Sequence, residues 1–280
     1  MPIINVPPSL HRPVSQACTQ AQFEEPAYGF WCRKIREVPR LHRKQWEFCY
    51  ILQALATTGA LAPGNRGVGY GVGQEPLPAV LASYGCAVLA TDLDVRTAET
   101  MGWTTTQEHA SEKGALNSRD ICDPKQFDQL VDFRVVDMNM IPPDIRDFDF
   151  TWSACALEHL GSLDHGCSFI ENTIKTLRPG GVAIHTTELN CSSDSETISE
   201  GLTVLFRNRD IIELCQRLET QGHEMTLNLH RGNLPVDHYI DVPPYNAEKH
   251  LKLLLEGFVT TSVGLIIRKA SQGGGGNFLP

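Results

Sequence analysis

Two groups of residues in this chain have the types and spacing to do chemistry. The first is Glu158-His159, followed by His185 and Glu188, with His238 next to Asp237 further on. A histidine or carboxylate of this kind can take a proton from a hydroxyl nucleophile, so Glu158, His159, His185 and Glu188 are general-base candidates, and His238 with Asp237 is placed to close over the pocket. Glu158, His159, His185 and Glu188 are also metal-capable, so a metal is not excluded, though none is expected. The second group is Gly69, Gly71 and Gly73, then Glu75, with Asp92 and Leu93 downstream. Glycines leave no side chain between the backbone and a ligand. An acid about 20 residues beyond such a turn is placed to accept hydrogen bonds from ribose hydroxyls.

The elements that must position these residues read as alternating strands and helices. Residues 67–70 form a small, close-packed strand that ends at the glycine turn. Pro76 suits a helix start, Leu77, Val80, Leu81 and Tyr84 make its apolar stripe, and Gly85 stops it. A short buried strand over 87–90 delivers Asp92. Residues 94–101 predict a helix, and 103–120, with Trp103 and His109, a polar loop. Asp123-Pro124 opens the next helix, and a strand over 133–136 ends at Asp137-Met138. A fourth strand over 148–153 runs into Ser153-Ala154, a helix over 162–177 follows, and Leu177-Arg178-Pro179-Gly180-Gly181 turns the chain into a fifth strand over 182–186. A helix over 210–218, a sixth strand over 223–230 and a last strand over 258–268 complete the pattern. Between the last two lies a polar, Pro-rich insertion over 231–257, and a segment of that length is read as functional.

The stretch 67–92 resembles the cofactor loop of the class I S-adenosylmethionine (SAM)-dependent methyltransferases, whose pattern is acid-x-Gly-x-Gly-x-Gly after the first strand. Gly71 and Gly73 match its first two glycines. Gly69 stands where the acid belongs, and Glu75 where the third glycine belongs. The Leu-Arg-Pro-Gly-Gly turn is a second point of likeness, and the resemblance spans roughly residues 60–269. It implies an α/β fold: a doubly wound, seven-stranded, mostly parallel sheet with an antiparallel last strand, here behind an N-terminal helical layer. It also implies SAM as cofactor and S-adenosylhomocysteine as product. On that reading the glycines face the methionine portion, Asp92 and Leu93 the ribose, Asp137 and Met138 the adenine, and Ser153 and Ala154 the methionine side. Glu75 becomes the candidate carboxylate for the cofactor's ammonium, which Gly69 cannot supply. The Glu158-His159 pair also resembles the metal-dependent 2′-O-methyltransferases of small RNA 3′ ends, but Cys155 stands where those carry a further acid.

Composition limits the partners. The net charge is −9, yet residues 1–60 hold seven Lys/Arg against four Asp/Glu, leaving −12 on the remainder. That balance argues against a nucleic-acid partner. The basic run from Arg33 to Lys44 is either a solvated helix face or a site for an anionic group. Nine cysteines without a C-x-x-C pair point to a reducing, cytoplasmic setting. No apolar run approaches the roughly 20 residues of a membrane span, and residues 1–10 show no secretory pattern. The expected division is an arm and helical cap over 1–60, a cofactor-binding domain over 61–270 and a flexible tail over 271–280, in a monomer or homodimer. The expected activity is O-methylation of a sugar, glycan or other polar small-molecule hydroxyl. RNA or protein methylation, a non-catalytic SAM-fold module and a nicotinamide-dependent oxidoreductase are the alternatives.

Overall fold

The computed structural model describes residues 2–94 and 112–271. Its main strands are β1 (Arg66–Tyr70), β2 (Ala87–Asp92), β3 (Val131–Val135), β4 (Phe148–Ala154), β5 (Leu177–Asn190), β6 (Lys252–Leu255) and β7 (Phe258–Arg268). They lie side by side in the order β6-β7-β5-β4-β1-β2-β3. Strands β1 to β5 are parallel, and β7 runs antiparallel to both its neighbours. This is the doubly wound, mostly parallel sheet that the sequence predicts. Two short strands extend it to nine: Gln16–Ala17 against β7 and Ile240–Asp241 against β6. The winding reverses between β1 and β4, where such sheets open a crevice at their carboxyl ends.

Helices cover both faces. On one, α1 (Pro26–Lys34), α2 (Arg43–Thr57), α3 (Leu77–Ser83) and α4 (Pro124–Leu130) share a core that includes Trp46, Tyr50, Leu77, Phe127, Phe150 and Trp152. On the other, α5 (Leu163–Lys175) and α6 (Asn208–Thr220) pack with Tyr70, Phe169, Ile170 and Leu214. The helix starts follow the sequence signals. Asp123 accepts from the backbone N–H groups of Lys125 and Gln126, and Ser162 accepts from that of His165. Among the described residues, no helix is long and apolar enough to cross a membrane.

Three expectations are corrected. Residues 1–22, which are Pro- and Gln-rich with little periodicity and so predict an extended or partly disordered arm, are built into the fold: Ile3–Ile4 pairs with Leu227–Asn228, and Leu10, Ser15, Cys18 and Thr19 are fully buried. Their apolar and hydroxyl side chains find partners only in the folded chain, so no local periodicity announces them. The segment 223–230 is not a core strand: Glu224 makes a single bridge to Arg268 of β7, and the short strand Leu227–Asn228 pairs with the arm, off the main sheet. The sixth strand is instead β6, inside the expected insertion 231–257. It meets β7 through a two-residue turn, Glu256-Gly257, with φ of +50° and +86°. Positive φ at both central positions is the hairpin turn whose twist matches paired strands. The predicted helix over 94–101, most of the loop over 103–120, including Trp103 and His109, and the tail beyond Ser271 lie outside the described residues.

Candidate functional site

A cavity of ≈ 880 Å³ opens at the carboxyl ends of β1 to β5, roofed by the first turn of α2. That is the size of a site for a drug-sized ligand. Its two sides are built by different means.

One side is mostly backbone. Gly71 has φ +59°, and a Cβ there would stand 2.9 Å from the Ala156 Cβ and 3.1 Å from the Met138 sulfur. Gly73 donates its N–H to Asp92 Oδ2 at 3.0 Å, and Leu93 donates to Asp92 Oδ1 at 2.8 Å. Asp92 is thereby fixed at the end of β2 with its carboxylate at the cavity wall. Asp137 is held by the Asn139 N–H at 2.8 Å, beside buried Met138. Glu75 is 7% exposed, and its Oε1 accepts from the Trp152 indole N–H at 2.6 Å. Burial pushes its carboxyl well above the usual range, the Trp152 bond pulls it back in part, and Asp92 and Glu47 push it further up.

The other side is a network of charged side chains. Arg43, Lys44 and Glu47 come from the first turn of α2, Cys155 follows β4, and Glu188 comes from β5. Arg43 Nη1 lies 2.5 Å from Glu188 Oε1 and 3.7 Å from Glu47 Oε1. The Lys44 ammonium contacts Cys155 Sγ and lies 3.8 Å from Glu47 and 3.9 Å from Glu188. Ser262 and Thr186 donate their hydroxyls to the two oxygens of Glu47, at 2.5 and 2.7 Å. Burial pushes Glu47 up despite Lys44 and Arg43. Burial pushes Glu188 the same way, but Arg43 and Lys44 override it and hold it below the usual range. The thiol of Cys155 is raised well above its ordinary value, by burial and then by Glu158 and Glu47. Donor atoms of Cys155, Glu158 and Glu188 lie within 4.8 Å of one another, a set that could hold a metal ion. In this structure the positive charge beside them comes from Lys44 and Arg43.

The predicted site residues divide by position. Gly71, Gly73, Glu75, Asp92, Leu93, Asp137, Met138, Ala154 and His159 all line the cavity. Gly69 lies beneath it, because a Cβ there would be 2.2 Å from the Trp152 ring. Ser153 and His185 are sealed in the core. The Ser153 hydroxyl donates to His185 Nδ1 at 2.8 Å, and His185 Nε2 donates to Thr173 Oγ1 at 3.1 Å. The Thr173 proton is already given to the Ile170 carbonyl, which fixes these roles. Burial pulls His185 down to about 3, so it is a neutral, satisfied core residue and not a base at the pocket. His238 is exposed on a short turn outside the cavity. Its neighbour Asp237 staples the Gln20 and Leu234 N–H groups, at 2.7 and 2.9 Å. Glu158 is fully buried behind the wall, accepting from Cys155 and, at 3.1 Å, from Thr187.

Of the three candidate histidines, His159 is therefore the one that faces the cavity. It ends a short 3-10 turn, Leu157–His159, directly after β4. Its Nδ1 lies 2.7 Å from the Leu202 carbonyl, which can only accept, so Nδ1 carries the proton. Nε2 is then the accepting nitrogen, 4.0 Å from Glu158 Oε1. The basic run contributes Arg43 and Lys44, each already partnered. Glu47, Phe48, Arg119, Thr203 and Leu255 also line the cavity without having been singled out from sequence. The signal available for Glu47 was an acid in an otherwise apolar helical stripe.

No protein-family model matches this chain, and no curated protein does. Solved structures do resemble it. One is described as a "putative sarcosine dimethylglycine methyltransferase" from Galdieria sulphuraria, 17% identical, with 82% of this chain and 85% of that one covered and a TM-score of 0.48. Another is the [4+2]-cyclase SpnF, 14% identical over 61% and 58%, with a TM-score of 0.44. A third is phosphoethanolamine N-methyltransferase 2 from Haemonchus contortus, 20% identical over 70% and 40%, with a TM-score of 0.42. The chain thus spans 58% of the second and 40% of the third. At these identities and scores the likeness carries no weight for activity, which has to be read from strand order and from the cavity.

Proposed function

We propose that this chain is a SAM-dependent methyltransferase that methylates a hydroxyl of a polar small molecule. One observation carries the reading: the glycine turn, Asp92 and Asp137-Met138, distant in sequence, line one cavity at the strand ends of a sheet ordered β6-β7-β5-β4-β1-β2-β3. The residues fit the cofactor. The turn at Gly71 has no room for a side chain. Asp92 is pinned by two backbone N–H groups, and carboxylate oxygens each accept more than one hydrogen bond, so ribose hydroxyls can share it. When bound, SAM supplies a methyl group on a sulfonium sulfur.

The remaining chemistry belongs to the chain. Asp92 holds ribose, and Asp137 with Met138 takes the adenine end. Lys44, Phe48, Thr203 and Leu255 surround the acceptor side, where polar and apolar contacts orient a hydroxyl. His159 takes the hydroxyl proton at Nε2, while the Leu202 carbonyl holds the ring through Nδ1. Titration calorimetry with S-adenosylhomocysteine is the first test, with micromolar binding expected. Absence of heat with either S-adenosylhomocysteine or SAM overturns the reading. Methyl transfer from labelled SAM to amines but not to hydroxylated compounds overturns only the acceptor class.

A further inference from the structure

Among the described residues, Glu75 is a buried carboxylate with no cation bonded to it. Its one hydrogen bond there comes from Trp152, to Oε1, and the charges that act on it are the acids Asp92 and Glu47. A carboxylate removed from water without a counter-charge is costly and persists where a ligand supplies one. Trp152 explains how it got there. On β4, Trp152 pairs in register with Gly69 of β1, and its ring fills the space a side chain at 69 would need. The indole that excludes an acid from position 69 gives its N–H to an acid at position 75.

Resting on the SAM-site reading, we propose that Trp152 and Glu75 act as a pair. Glu75 Oε2 binds the ammonium of the cofactor's amino-acid end, and Trp152 is the positioning residue that holds the carboxylate toward the cavity. The carboxylate has moved across the glycine turn, from the strand end to Glu75, two residues before α3.

The experiment compares two ligands that differ only at that end: S-adenosylhomocysteine, and 5′-methylthioadenosine, which has the same nucleoside thioether without the ammonium. Loss of a hydrogen bond to a charged group predicts that Glu75→Gln weakens S-adenosylhomocysteine roughly 10- to 100-fold and 5′-methylthioadenosine by less than about threefold. Trp152→Phe, which keeps a ring over Gly69, is expected to lie between wild type and Glu75→Gln and to show the same ligand selectivity. If wild type binds S-adenosylhomocysteine but Glu75→Gln weakens both ligands equally, or neither, the pair has no such role. If wild type binds neither ligand, the cofactor reading itself fails.

Discussion

The two sides of the cavity are built by different physics. The glycine side presents backbone: a turn closed to side chains at Gly71, and peptide N–H groups that pin Asp92. The α2 side presents an ionic network, buried at Arg43, Glu47 and Glu188, in which Arg43 and the half-exposed Lys44 are shared among Glu47, Glu188 and Cys155. Backbone geometry changes little with surface chemistry, so the first side suits an invariant ligand part. A charge network is sensitive to each member, so the second suits a specific acceptor. On the proposed reading the glycine side holds the cofactor and depends on few side chains, Asp92 and Glu75 among them, whereas the α2 side depends on every member of its network.

Measurement can test this contrast at several strengths. The largest effect is expected from His159→Gln. A positioned base contributes roughly 10²- to 10⁴-fold, so kcat should fall by that factor while S-adenosylhomocysteine affinity, set by the other side, stays within about twofold. Equal loss of both would erase the division. Next is Arg43→Met, which leaves Glu188 charged and buried. Breaking such a pair costs about 3–5 kcal/mol, readable as a shift in urea unfolding. Gly69→Ala tests the opposite side through steric fit alone. Its Cβ meets the Trp152 ring, and overpacking of this kind costs about 1–3 kcal/mol.

The smallest effect is in the pH dependence of stability. Glu188 is held below its ordinary value, so its contribution is present above the unfolded carboxyl value and is lost as pH falls below it. Glu75 and Glu47 are raised, so theirs is present at and below the unfolded value and is lost as pH rises above it. Wild-type melting should therefore soften on both sides, and Glu75→Gln should flatten only the loss toward neutral pH. An unchanged profile in that variant would mean that Glu75 is not the buried carboxyl described here.

Much of the glycine side was legible in the chain. Gly71 and Gly73 mark backbone conformations that other residues resist, and an acid at a strand end has a place set by the strand itself. The hairpin into β7 was also available, in Glu256-Gly257 between apolar runs, but that turn pair is a weaker signal than Asn-Gly. His185 misled because β5 is buried along most of its length. A histidine in a strand covered on both faces looks chemical, and Ser153 and Thr173 show that it is structural.

The order of residues is enough to set the alternation of strands and helices, the glycine turn, and the acids after β2 and β3. Periodicity and backbone preference are local, and local order is what a chain spells out. Folding was needed to decide that the first turn of α2 meets Cys155 and Glu188, that one candidate histidine faces the cavity and that Trp152 hands its N–H to Glu75. Of these contacts, Trp152 to Glu75 joins residues 77 positions apart and Lys44 to Cys155 joins residues 111 apart, and side chains so separated leave no pattern in the intervening sequence. They exist because the sheet crosses over between β1 and β4 and brings distant strand ends to one crevice.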